Sequence, residues 1–182
     1  LTLRVSFDLS PSDIAYFRER LKRIRVNLDP RDEGRILEGA SKLIEQARAA
    51  TPPAFVLERL VVLGHLVQML RDDQWRLEGT DRARILDALA YFVDPDDMIP
   101  DRLPGIGYID DAIMVELIAI ELKHEIKAYE DFCAFRKSAP RTDAASQIEA
   151  RRNALQARMR RRSRRERDAM RERPRHTRLR LF

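Results

Sequence analysis

Leu1, Leu3, Val5 and Phe7 alternate with polar neighbours, which is the period of a short strand. Ser10-Pro11-Ser12-Asp13 then supplies a helix start, with a hydroxyl to cap and a proline suited to the first turn. Ile14, Phe17, Leu21, Ile24 and Leu28 follow at steps of three and four, a narrow apolar seam on a helix that ends near Asp29-Pro30. A second helix is predicted from about Asp32 to Ala50, with Ile36, Leu37, Ala40, Leu43, Ile44 and Ala47 on one face. Thr51-Pro52-Pro53 breaks the chain. The next helix, about Pro53 to Arg71, has apolar residues on a wide face from Phe55 to Leu70, which predicts a central position.

Gly79-Thr80-Asp81 starts a shorter helix to about Val93, with Ile85, Leu86, Leu89 and Phe92 inward. A loop rich in Asp, Pro and Gly covers 94–108. One long helix is predicted from Ile109 to about Lys137, with Ile113, Leu117, Ile120, Ile126, Tyr129 and Phe132 facing the core. Ser138-Ala139-Pro140 ends it. A last helix begins near Thr142-Asp143 and carries Ile148, Leu155 and Met159, after which the apolar stripe disappears apart from Met170. Pro174 stops it, and Thr177 to Phe182 alternates again.

The pattern predicts an all-α protein. A compact bundle of about five helices occupies residues 1–140, and a projecting basic helix and tail occupy 141–182. The expected core includes Phe17, Leu21, Leu43, Leu60, Leu63, Leu89, Phe92, Ile113 and Leu117. The two alternating ends have no strand partner in a helical body. They pair with each other or with a second copy in a homodimer, or they are frayed termini.

Charge divides the chain in the same place. Residues 151–182 hold 14 arginines against Glu166, Asp168 and Glu172, a net +11. Residues 1–150 hold 21 basic and 27 acidic residues, a net −6. A strongly basic tail on an acidic body implies a polyanionic partner, or docking of tail on body. One cysteine, Cys133, excludes an intramolecular disulfide and a cysteine-based zinc cluster. The longest apolar stretches are interrupted by Glu58, Arg59 and His65, and by Glu116 and Glu121, so neither is an ordinary transmembrane segment. The chain opens on an alternating pattern rather than an apolar run. The expected location is cytoplasmic.

The loop between the two central helices carries the most specific pattern: Ala90-Tyr91-Phe92-Val93-Asp94-Pro95-Asp96-Asp97-Met98-Ile99-Pro100-Asp101, then Pro104-Gly105-Ile106-Gly107-Tyr108-Ile109-Asp110-Asp111. It resembles the YkvA-like family, domain of unknown function 1232, over about residues 84–122. That family's core is a Ser-Pro-x-Asp-x-Ile-Pro-Asp turn, a Pro-x-x-Gly-Tyr segment and an Asp-Asp helix start. Pro95, Asp97, Ile99, Pro100, Asp101, Pro104, Gly107, Asp110 and Asp111 match, and Asp94 stands where the family usually has Ser. The resemblance brings no established activity with it.

The same loop admits two chemical readings. Six carboxylates fall within 18 residues, and Asp97, Asp101, Asp110 and Asp111 could converge on a hard divalent cation, which prefers oxygen ligands. A divalent-metal-dependent hydrolase would follow. The other reading is turn chemistry: Asp94 caps, Asp101 closes a Pro-Asp turn, and Asp110 and Asp111 favour a helix N-terminus. The second needs no cofactor, and no catalytic residue is assigned. His65 and His124 read as buried or boundary histidines, Cys133 as a small buried thiol, and Glu121 with Glu125 as a solvated face. Gly105-Ile106-Gly107 follows no strand and lacks the lysine of a phosphate loop.

Arg151, Arg152, Arg158, Arg160, Arg161, Arg162, Arg164, Arg165, Arg167 and Arg171 lie within 21 residues. The guanidinium group holds phosphate through two parallel hydrogen bonds. Aromatics are absent from the tail until Phe182, so base stacking is not its method. The leading expectation is a non-enzymatic protein whose tail engages nucleic acid or a ribonucleoprotein. An anionic membrane surface is the competitor, but the basic helix has few large apolar residues to insert.

Overall fold

The computed structural model describes residues 10–27, 32–93, 108–138 and 144–172. Among these, seven α-helices form the fold: α1 (Pro11–Asn27), α2 (Glu33–Ala49), α3 (Ala54–Arg71), α4 (Gly79–Leu89), α5 (Ile109–Glu121), α6 (Lys123–Ser138) and α7 (Ala144–Glu172). A 3₁₀ turn, Ala90–Val93, extends α4. No strand occurs among the described residues. The alternating segments 1–9 and 173–182, and most of the Asp-rich loop, lie outside them.

Local chemistry explains the helix starts. The Ser10 N–H donates to Asp13 Oδ2 at 2.8 Å, and the Asp13 N–H donates back to Ser10 Oγ at 3.2 Å. This reciprocal box satisfies two donors that a helix start leaves unpaired. α3 begins immediately after Pro53, whose φ of −53° suits a helix entry. α5 follows Tyr108, which sits in the left-handed region at φ 65° although its side chain is buried.

α3 is the central element, as its wide apolar face predicts. It packs on α2 and α5, and also reaches α4 and α6. Leu63, Leu66 and Met69 are completely buried along it. α5 is enclosed from Ile109 through Val115, so its periodicity is blurred by burial on several sides. α2 comes close to the 3₁₀ turn at Gly39, where an added Cβ would stand 3.2 Å from Val93 Cγ1 and 3.3 Å from the Phe92 carbonyl oxygen. Arg82 fastens the α3–α4 connection, donating to the carbonyls of Leu70 and Leu77 and pairing with Glu33 of α2.

Most expected core residues are buried. Leu43 is half-buried, and the side chain of Leu21 lies outside the described ones. Three expectations change. The single helix expected over 109–137 is divided at Leu122 into α5 and α6, although the Leu122 and Ile126 N–H groups still find carbonyls four residues back. The division lets α5 face α3 while α6 faces α7. Glu125 is no solvated residue; it is fully buried. The basic helix expected to project lies along α6, with Leu155, Gln156, Met159 and Ser163 buried. Past Ser163 only Glu166 is partly covered as far as Ala169.

Candidate functional site

The site begins at the turn between α3 and α4. Asp72 follows α3 and accepts the N–H groups of Gln74 at 2.9 Å and Trp75 at 3.1 Å, closing the turn. Tyr129 of α6 donates its hydroxyl to Asp72 Oδ2 at 3.0 Å, and Arg136 Nη1 lies 2.8 Å from the same oxygen. Burial pushes the Asp72 carboxyl up, but the Trp75 N–H, Tyr129 hydroxyl and Arg136 guanidinium outweigh it and hold the carboxyl below its usual range. Burial and the hydrogen bond to Asp72 push the Tyr129 phenol well above its ordinary value. Trp75 is completely buried, its ring 5.0 Å from that of Phe132 and 5.7 Å from that of Tyr129.

This turn is the seat on which α7 docks. Gln156 Nε2 donates to the Trp75 carbonyl at 2.6 Å, and Arg152 Nη1 to the Gln74 carbonyl at 3.4 Å. Arg160 Nε lies 2.6 Å from Asp81 Oδ2 in α4. On the other flank, Arg158 Nη2 lies 2.7 Å from Asp131 Oδ2, and the Arg151 guanidinium stands 5.5 Å over the Phe135 ring. Ser163 Oγ donates to Glu125 Oε1 at 2.9 Å, an oxygen that also pairs with Arg84. Glu166 pairs with Lys123 and with His124, whose Nε2 is 2.7 Å away.

The arginines therefore separate into two sets. Arg151, Arg152, Arg158 and Arg160 touch the body. Arg161, Arg162, Arg164, Arg165 and Arg167 are exposed, and none makes a side-chain hydrogen bond or ion pair among the described residues. The side chain of Arg171 lies outside the described ones. Five cations thus stand within seven consecutive residues, 161–167, on an exposed helix surface.

Of the four aspartates expected to converge, Asp97 and Asp101 lie outside the described residues. Asp110 and Asp111 are buried in the first turn of α5, as helix-dipole chemistry favours. Among the described residues, no group of three or more His, Cys, Asp or Glu side chains is placed to hold a metal. Cys133 is half-buried, with Arg136 Nη2 3.8 Å from its sulfur. The Asp72 knot and the Glu125 contact went unread in the sequence. The lone tryptophan in Asp72-Asp73-Gln74-Trp75 was the available signal, since so large an apolar residue in a polar turn needs a place to bury.

The family model described as a protein of unknown function (DUF1232) matches residues 81–117, within the expected neighbourhood of 84–122. An "Uncharacterized membrane protein YkvA" of Bacillus subtilis (strain 168) is 41% identical over 69 residues, which is 35% of this chain and 63% of the relative. The chain thus spans less than two thirds of that relative's length. No solved structure matches. The matched segment comprises most of α4, its 3₁₀ turn, the Asp-rich loop and most of α5, and it includes Asp81, the partner of Arg160. Residues 81–117 thus carry a segment that matches the YkvA-like family of proteins of unknown function, DUF1232.

Proposed function

We propose that the protein is a non-enzymatic binding protein whose outward arginines on α7 engage the phosphate backbone of nucleic acid, alone or within a ribonucleoprotein. The supporting observation is the set Arg161, Arg162, Arg164, Arg165 and Arg167: five exposed cations without a carboxylate partner among the described residues. Closely spaced guanidinium groups repel one another, and a polyanion relieves that repulsion while releasing its own counter-ions. Arginine also fits phosphate with paired hydrogen bonds that lysine cannot make. The docking of α7 gives these side chains a fixed helical frame.

An anionic membrane surface is the second reading, favoured by the name of the Bacillus subtilis relative. Among the described residues no helix is long and apolar enough to cross a membrane. What weighs against this reading lies in α7: Leu155 and Met159 are buried and Ile148 packs against the core, so none of the large apolar side chains described on that helix is free to insert between lipids. The readings separate in one experiment at physiological salt, in which the full chain meets labelled mixed-sequence nucleic acid and phosphatidylserine vesicles. Retention by nucleic acid and not by vesicles is expected; the reverse pattern would replace the first reading with the second.

A further inference from the structure

The outward arginines are not spread evenly around α7. Successive side chains on a helix are rotated by roughly 100°. The buried residues Leu155, Gln156, Met159 and Ser163, with the half-buried Arg152, define the side facing the body. Relative to that side, Arg151, Arg158, Arg162 and Arg165 follow one flank at steps of seven, four and three. Arg160, Arg164 and Arg167 follow the opposite flank at steps of four and three. The first members of each row are tied down: Arg158 to Asp131, and Arg160 to Asp81. The later members, Arg162 and Arg165 on one side and Arg164 and Arg167 on the other, are exposed and unpaired among the described residues. Between the rows runs a crest of Ala150, Ala154 and Ala157, then Arg161 and Asp168.

We infer that α7 seats in the major groove of double-stranded DNA, its two arginine rows facing the two backbones. The inference rests on the nucleic-acid reading above and narrows its substrate class. A helix with its side chains is about 10–12 Å across. The major groove of B-form DNA is about 12 Å wide and admits a helix. Its phosphates line both walls, so cations on opposite flanks of one helix each find an anion. A single strand offers one backbone and engages one row. The major groove of A-form RNA is too deep and narrow to take the helix.

The crest supports the same choice. Its alanines let the helix approach the groove floor. Asp168 is tolerated there, because base edges include amino donors. With no aromatic and few long polar side chains on the crest, readout of base sequence is weak, and binding follows the backbone.

The test uses the full chain and three labelled probes of one mixed sequence: a duplex DNA of about two helical turns, one of its single strands, and the matching duplex RNA. Duplex DNA is expected to bind at least tenfold tighter than either other probe. Four phosphate contacts at about 0.9 each give a slope of log K against log salt near −3.6 on the duplex. Removing one row, by Arg162→Gln with Arg165→Gln or by Arg164→Gln with Arg167→Gln, should reduce the slope to about −1.8 in either case. These side chains are exposed, and an unchanged unfolding midpoint confirms that each variant is folded. Equal binding of the single strand or of duplex RNA overturns the groove assignment but leaves the nucleic-acid reading standing, as does loss of a row without change in slope. Failure of all three probes to bind overturns both.

Discussion

Glu125 illustrates how one residue can depend on the whole fold. It sits in the first turn of α6, is completely buried, and shares one oxygen between Arg84 of α4 and Ser163 of α7. Removing one member of a buried charge pair leaves the other uncompensated. Glu125→Ala is therefore expected to destabilise the protein by about 3 kcal/mol in chemical denaturation. A loss under about 0.5 kcal/mol, the range of ordinary surface changes, would mean that Arg84 finds an equal partner elsewhere. Asp72 makes a pH-dependent prediction. Its folded carboxyl is held below the unfolded value of 3.8, so its contribution is fully present above that value and is lost as pH falls through the folded one. Asp72→Asn should lower stability at neutral pH by about 1–3 kcal/mol and flatten the decline below pH ~4. An unchanged acid profile would contradict the role given to the turn.

Among the elements, α3 was legible from the sequence because its apolar positions fill more than one stripe, and burial on several sides is what that pattern means. α7 was only half legible. Ile148, Leu155 and Met159 announced a packed face, but Gln156 and Ser163 extend that face with polar side chains whose partners, the Trp75 carbonyl and Glu125, are distant in sequence. Hydropathy cannot register a buried glutamine. The same limit hid Glu125, which has the spacing of a solvated face and differs only in what lies opposite. The Asp-Asp start of α5 could be read, since it follows from the helix dipole alone. Met159→Ala should test the docking of α7 directly. A loss of about 2–4 kcal/mol is expected for a buried methionine. The fluorescence of Trp75, the chain's one tryptophan, should shift to the red as its cover loosens. Stability and emission both unchanged would mean that α7 is held elsewhere.

At the scale of the molecule, the charge division in the sequence becomes a division of labour within one helix. Arg152 and Arg160 reach the Gln74 carbonyl and Asp81, and they hold α7 in place. Arg161, Arg162, Arg164, Arg165 and Arg167 hold nothing among the described residues. Composition alone could not separate these sets, because they differ only in what the fold sets beside them. Most of the Asp-rich loop and both alternating ends fall outside the described residues, and the strand pairing and homodimer expected from those ends fall outside them too.

The central claim is that the outward set binds polyanion while the inward set supports the fold, and two variants of the full chain measure it. Replacing all five outward arginines with Gln should leave the unfolding midpoint unchanged or slightly raised, as like charges are removed, and should abolish retention of labelled DNA at physiological salt. Arg152→Gln with Arg160→Gln should do the opposite, costing about 1–2 kcal/mol of stability while leaving most of the DNA affinity at a temperature where the variant is folded. Full DNA binding by the five-arginine variant, with its stability intact, would contradict the account.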